Sequence, residues 1–296
     1  MINLADLKEN VESGSFIALA RALTLVENDI GPSYQFLKSL NIKSKVPVIG
    51  ITGPPGAGKS TLVNAITTQL SLQHKKVAIL AVDPTSPFNY GSLLGDRIRM
   101  SKLFNDPNVY IRSVATRGSL GGISAKTLEM VDVMKASHFD LIIVETVGVG
   151  QSEIEIAGLA DQTILVLVPE SGDEIQHIKS GLMEIAQAFV VNKADREGAD
   201  LFAGNLKKMT QEQHRDTPIF KTIAEKEIGI DSLLNWILSK ERIPNHRKSL
   251  LLAEKAYRLI QARKMSMIDR KALVKAIDTA QLSEKFNIYS FIEEWI

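Results

Sequence analysis

Seven short apolar runs punctuate the chain between residues 45 and 225, and several of them stay apolar through their middle instead of alternating. They read "VPVIGIT", "KVAILAVD", "VYIRSVA", "FDLIIVE", "QTILVLV", "AFVVN" and "PIFKTIA". A strand with one wet face alternates apolar and polar residues, whereas a strand covered on both faces has no position left for a polar side chain. Helical stretches separate the runs, at 59–73, 122–137, 174–187 and 198–213. Strand–helix alternation of this kind predicts an α/β fold with a doubly wound, mostly parallel sheet of about seven strands. In such sheets ligands collect at the carboxyl ends of the strands.

The flanks differ from this pattern. Residues 1–44 read as a helical N-terminal extension, in which "SFIALARALTLVEND" carries apolar residues at helical spacing before "IGPS" breaks it. The sheet-bearing domain is assigned to 45–240. Residues 241–296 read as a helical C-terminal extension and a possible dimerisation element. Spacing alone leaves open whether either flank caps the sheet or forms a subunit interface.

Composition narrows the classes of partner. Lys and Arg number 35 against 34 Asp and Glu, so no global field recruits nucleic acid or an anionic membrane. There are no cysteines, which excludes disulfides and thiolate metal sites. The stretch "MINLADLKENVESGS" lacks the charged-then-apolar order of a signal peptide. No apolar run approaches the roughly 20 residues that span a bilayer. These features give the expectation of a cytoplasmic protein without nucleic-acid or membrane partners.

The first apolar run opens directly onto "GPPGAGKST", residues 53–61. Gly53, Gly56, Gly58, Lys59 and Ser60 form G-x-x-x-x-G-K-S between a strand and a helix, the context a phosphate loop requires. Small residues through Ala57 let successive N–H groups point inward at a phosphate, and the helix that follows adds its positive end. Lys59 is placed to reach the β- and γ-phosphates. Ser60 is placed to ligate Mg²⁺, with Thr61 beside it on the first helical turn. The domain is therefore read as a P-loop NTPase.

Mg²⁺ takes oxygen ligands, commonly one or two carboxylates with phosphate and water. Asp83 and Glu145 end the second and fourth apolar runs, and Asp96 lies in the glycine-bearing "DPTSPFNYGSLLGDRIRM". With Ser60 they make the candidate metal set. Each also has an ordinary reading, Asp83 as a turn residue before Pro84, Glu145 as a strand-end acid and Asp96 as a first-turn helix acid. "ETVGVGQSE" (145–153) follows its strand as a switch segment does. There Gly148 would offer its N–H to the γ-phosphate, and Gln151 either orients the attacking water or is simply a polar residue opening the next helix.

"FVVNKAD" ends a further buried run with Asn192, Lys193 and Asp195. An N-K-x-D element at a strand end reads guanine, because the Asp195 carboxylate accepts from N1–H and the 2-amino group, neither of which adenine offers. The Lys193 stem can lie over the ring while Asn192 ties the turn to the phosphate loop. "KTIA" (221–224) stands where GTPases often carry a Ser-Ala loop against the base. Ile223 departs from that pattern, and Ala224 is the candidate contact.

With their connecting text these motifs resemble the methylmalonyl-CoA mutase-associated GTPases, MeaB/ArgK-like members of the SIMIBI class formerly known as arginine/ornithine-transport kinases. The likeness covers roughly residues 14–230, through "VDPTSP", "GSLLGDRIRM", "RGSLGGIS", "ETVGVGQSE", "PESGDEIQHIKSGLMEIA" and "VVNKAD". It implies an enzyme that hydrolyses Mg²⁺–GTP to GDP and phosphate, with the phosphate loop, Asp83, Asp96, Glu145 and the N-K-x-D element as its site. It also implies a homodimer that acts as a G-protein chaperone for an adenosylcobalamin-dependent acyl-CoA mutase, gating cofactor loading and protecting the mutase. Arg97 and Arg117 are candidates for a cis arginine finger. Three alternatives stand beside this reading: an ATP-dependent small-molecule or protein kinase, a nickel metallochaperone GTPase, and an interaction module that binds nucleotide without turning it over. Asp195 opposes the first. The second needs a cysteine or histidine cluster, whereas His74, His138, His177, His214 and His246 are scattered singly.

Overall fold

The structure is a computed structural model that describes residues 3–43, 45–83, 100–115, 125–146, 152–171, 182–212, 214–239, 247–265, 267–282 and 286–295. Part of the expected helix 174–187 falls outside these residues, as do Asp96, Arg97, Arg117, Gly148, Gln151, His177 and His246.

Every one of the seven apolar runs forms a strand: β1 (Val48–Thr52), β2 (Val77–Asp83), β3 (Val109–Ala115), β4 (Leu141–Glu145), β5 (Gln162–Leu167), β6 (Ala188–Val191) and β7 (Ile219–Lys221). They lie in one sheet in the order β3-β2-β4-β1-β5-β6-β7, and every neighbouring pair is parallel. The expectation of a mostly parallel sheet is thus met by one that is parallel throughout. β1, β4, β5 and β6 are buried at every position.

Successive residues of a strand point to opposite faces, and here each face has its own cover. On one face Val48, Leu80, Ile142 and Val144 share an apolar cluster with the N-terminal helices α1 (Leu4–Glu12), α2 (Phe16–Glu27) and α3 (Ser33–Ser39), and with α5 (Ala125–Ala136). On the other, Ile49, Ile51, Ile79, Ile143 and Ile164 meet α4 (Lys59–Leu72) and α9 (Ile230–Leu238). The alternate neighbours in β5 and β6, Leu165, Leu167, Phe189 and Val191, pack with Met183 of α7 (Leu182–Ile185) and with Phe202 and Leu206 of α8 (Ala199–Glu212). One further helix, α6 (Ser152–Leu159), follows β4. Its Ile156 comes so near β1 that a Cβ on Gly50 would lie 2.7 Å from Ile156 Cγ1.

The N-terminal helices are bonded to the sheet as well as packed on it. Arg112 on β3 places Nη2 2.5 Å from Glu27 Oε2 and 3.3 Å from the Thr24 hydroxyl, both on α2. The ring of Phe16 at the start of α2 meets Tyr110 edge-on at 5.4 Å and stacks on Phe139 at 6.0 Å.

The chain divides into two compact units, residues 1–245 and 246–296. The second contains α10 (Arg247–Met265), α11 (Arg270–Ala280) and α12 (Ile288–Glu293). No helix among the described residues is long and apolar enough to cross a membrane.

Leu19 of α2 is fully buried in the cluster that joins the N-terminal helices to the sheet. Leu19→Ala is expected to lower the stability of the first unit by about 2–5 kcal/mol, the usual cost of a large-to-small change in a packed core. Urea unfolding followed by circular dichroism measures it, and a change within error would show that these helices fold apart from the sheet.

Candidate functional site

The parallel order brings the ends of β2, β4 and β1 side by side. Glu145 pairs with Ile51 on one side and Ala81 on the other, so Asp83, Glu145 and the loop leaving Thr52 share one edge of the sheet. Asp83 closes β2 opposite Ala115.

The loop from Gly53 to Gly58 is shaped by its glycines at two close approaches. Gly53 has φ +143°, and a Cβ there would stand 2.1 Å from the Val166 carbonyl oxygen. Gly58, at φ +86°, caps α4, and its Cβ would lie 2.4 Å from Asn192 Nδ2. An L side chain is strained at such φ values, and here it would also displace β5 or the Asn192 amide. Gly56 is different: nothing lies within 4 Å of where its Cβ would be, so the loop is open at that point.

Lys59 is 7% exposed and folds back over this loop, donating to the carbonyls of Gly53 at 2.8 Å and Pro54 at 3.0 Å. Beside it the Ser60 hydroxyl donates to Glu145 Oε1 at 2.7 Å, and both residues are 5% exposed. Ile143 and Glu145 are two apart on β4, so Glu145 faces the same side of the sheet as α4, which carries Ser60. One step further out, the buried hydroxyls of Thr146 and Thr52 meet at 2.9 Å and fix the end of β4 to the start of the phosphate loop.

Asn192 directly follows β6 and is 2% exposed. Its Nδ2 donates to the Ala57 carbonyl at 2.9 Å, and its Oδ1 accepts from the Thr222 hydroxyl and the Ala224 N–H, each at 3.1 Å. Lys193, in the left-handed region at φ +56°, donates to the Gly56 carbonyl at 2.8 Å. Asn192 and Lys193 thus grip the phosphate loop from the side of β6. Between the two loops opens a cleft of about 230 Å³, lined by Gly58, Thr61, Asn192, Lys193, Asp195, Arg196, Ile223, Ala224 and Glu225. Asp195 stands on its wall, and Lys226 donates to Asp195 Oδ2 at 3.1 Å. That hydrogen bond is the main cause holding the Asp195 carboxyl below its ordinary value, so the group is an acceptor on both oxygens near neutral pH.

The structure therefore gathers Gly53, Gly56, Ala57, Gly58, Lys59, Ser60, Thr61, Glu145, Asn192, Lys193, Asp195 and Ala224 around one cleft and its floor, with Asp83 on the same sheet edge. The Ala224 N–H is engaged by Asn192 and so is not turned toward the cleft as a spare donor. Asp96, Gly148 and Gln151 lie outside the described residues. Two residues of the site go beyond the sequence reading: Thr222, whose hydroxyl helps hold Asn192, and Lys226. Thr222 was within reach, being a polar position inside the expected base loop 221–224, but a lysine two residues past that loop carries no pattern of its own. Among the described residues no group of three or more His, Asp or Glu side chains gathers as a metal cluster.

A seven-stranded parallel sheet with a glycine-lined phosphate loop after its central strand, and an N-K-x-D turn bonded to that loop, defines a P-loop GTPase. The comparisons with known proteins agree in detail. A model of the family described as "Methylmalonyl Co-A mutase-associated GTPase MeaB" matches residues 19–281, and the chain belongs to that family. It is accordingly a GTP hydrolase. A Pyrococcus horikoshii protein, provisionally named a GTPase, is 43% identical over 97% of this chain and 92% of its own length. The Escherichia coli protein named GTPase ArgK is 43% identical over 66% of this chain and 61% of its own. The Caenorhabditis elegans protein named "Methylmalonic aciduria type A homolog, mitochondrial" is 38% identical over 72% of this chain and 56% of its own. Among solved structures, a crystal structure of an "LAO/AO transport system kinase" aligns with a TM-score of 0.69 at 26% identity, covering 98% of this chain and 90% of that one.

Asn192→Ala would leave the Ala57 carbonyl and the Ala224 N–H without their partner inside the protein. A buried polar group stripped of its partner costs about 1–3 kcal/mol. The variant is expected to melt several degrees lower without nucleotide, and a melting temperature equal to wild type would show that the two loops do not depend on this amide.

Proposed function

We propose that the cleft binds Mg²⁺–GTP, with the triphosphate on the 53–61 loop and guanine between Lys193, Asp195 and the Ala224 turn. The observation that carries this reading is the bond from Asn192 to Ala57, which holds the phosphate loop and the N-K-x-D turn in one rigid cleft. Open backbone at Gly56 and the start of α4 suit an anion, because the helix end and the loop N–H groups carry partial positive charge. Lys59 exchanges its two carbonyl contacts for phosphate oxygens and neutralises part of their charge.

The residues present suit Mg²⁺. A hydroxyl and a carboxylate oxygen 2.7 Å apart, both buried beside the loop, are the hard oxygen donors this ion takes. Ser60 and Glu145 would hold it, with Asp83 and Asp96 as the further acids of the set. When bound, the ion offsets negative charge that develops on the phosphate oxygens. Gly148 and Gln151 complete the reading as a γ-phosphate donor and a water-orienting side chain.

At the level of the cell, the reading is a G-protein chaperone for an adenosylcobalamin-dependent acyl-CoA mutase, which supplies the cobalamin while this chain supplies the switch. It is supported by the family's description and by the name of the Caenorhabditis elegans relative. A homodimer formed through the second unit belongs to the same reading, supported by the exposed Leu252, Tyr257 and Ile260 of α10. A cytoplasmic location completes it.

Base choice tests the nucleotide reading. Asp195→Asn turns one of two acceptors into a donor, which then faces the 2-amino group of guanine. Xanthine carries a carbonyl at that position. The variant is expected to lose GTP affinity by orders of magnitude and to gain XTP, while ATP stays weak for both forms. Unchanged GTP affinity, or ATP bound by wild type as tightly as GTP, would move the kinase alternative ahead.

Nucleotide-dependent capture tests the chaperone reading. The protein charged with a non-hydrolysable GTP analogue or with GDP is expected to retain a purified adenosylcobalamin-dependent acyl-CoA mutase to different extents. The mutase in turn should accelerate GTP turnover. Equal or absent retention, with no change in turnover, would sink it.

A further inference from the structure

Asp195 on the cleft wall forms an ion pair with Lys226 on a different loop, and both loops are fixed by their backbones. On one side Lys193 takes the left-handed conformation, the Arg196 N–H returns to the Lys193 carbonyl at 3.0 Å, and the Ala194 N–H donates to the Thr222 carbonyl at 3.0 Å. Asp195 lies inside that turn. On the other side Ile223 and Ile228 form an antiparallel bridge, with N–H to carbonyl distances of 3.0 and 3.3 Å. The turn between them closes with the Lys226 N–H on the Ile223 carbonyl at 2.9 Å and with Glu227 at φ +57°. The Lys226 backbone is therefore set relative to Asp195 before any ligand arrives, and its ammonium reaches Asp195 Oδ2 at 3.1 Å. Arg196, the other cation near Asp195, is engaged elsewhere, by Glu170.

We infer that Lys226 is a positioning residue for base recognition: it holds the Asp195 carboxylate in the orientation that receives the Watson–Crick edge of guanine. The inference rests on the reading that Asp195 contacts the base. Carboxylate acceptor capacity makes the two contacts compatible. The group offers about four lone-pair sites on its two oxygens. Guanine takes one on each oxygen through N1–H and the 2-amino group, and Lys226 takes another on Oδ2. Lys226 therefore stays in place when the base binds. It restricts the Asp195 side chain in the free protein, so less freedom is lost on binding. It also contributes to keeping the carboxyl ionised.

The side chains of Asp195 and Lys226 are 42% and 61% exposed, so solvent screens the pair and its effect is modest. Replacing Lys226 is expected to weaken GDP binding by about two- to five-fold, the range an exposed ion pair supports. Isothermal titration of GDP, XDP and ADP onto wild type, Lys226→Met, Lys226→Arg, Asp195→Asn and the Asp195→Asn/Lys226→Met pair tests it, at low and at molar salt. Lys226→Met should weaken GDP but not ADP, and Lys226→Arg should restore most of the loss. The deficit should shrink toward unity at molar salt. In the Asp195→Asn background, Lys226→Met should leave XDP and residual GDP affinity unchanged, because the pair is already gone. A Lys226→Met protein that binds GDP like wild type at low salt overturns the inference. So does a deficit that persists undiminished without Asp195 or at molar salt, which would assign Lys226 to holding the loop. These outcomes leave the base reading intact. That reading itself fails where Asp195→Asn binds GDP as wild type does, or where wild type binds ADP as tightly as GDP.

Discussion

Asn192 bonds to protein from both ends of its side-chain amide. One end donates to the phosphate loop at Ala57, and the other accepts from Thr222 and Ala224. Three segments far apart in sequence meet on that one buried group, and the cleft exists because they do. Gly58, at φ +86°, lies so close to the Asn192 amide that a side chain there would displace it, so the asparagine's place depends on the glycine.

The sheet makes this meeting possible. With β1 at its centre and β4 and β5 on either side, the loops leaving β1, β4 and β6 emerge from one edge and within reach of one another. Two apolar layers press on the sheet from opposite faces and keep the strand ends in register. That register sets Glu145 beside Ile51 and within hydrogen-bonding distance of Ser60. The polar groups at this edge are buried yet bonded to one another, as with Thr52 and Thr146, which gives a stiff floor under a loop that must stay open to a phosphate. Rigidity below and open backbone above are what a phosphate site needs.

Much of this was legible in the chain before folding. The strands announce themselves because a strand buried on both faces has little room for polar side chains, and Leu141–Val144 of "LIIVE" and Ile164–Leu167 of "QTILVL" are apolar at every position. The phosphate loop and the N-K-x-D element are legible for a related reason: backbone contact with a phosphate demands glycine, and reading guanine demands a carboxylate. Such chemical demands fix residue types at fixed spacings. What was not legible depends on distance in sequence. The contacts of Arg112 with Glu27 and of Asn41 with Glu12 tie the N-terminal helices to the sheet and to each other, and no local pattern pairs those residues. Ala224, the candidate base contact, lines the cleft, and its N–H is given to Asn192. That engagement follows from the path of β7 and is not encoded in the tetrapeptide.

The sequence by itself thus determined the kind of sheet, the phosphate loop and the acid of the N-K-x-D turn, because each is dictated by short-range chemistry between neighbours in the chain. Only the tertiary structure decided the order of the strands, the pairing of Glu145 with Ser60 and the reach of Lys226 to Asp195. Each of these joins residues on separate loops. A lysine or a glutamate carries no mark of its partner until the packed layers bring the two backbones within a side chain's length.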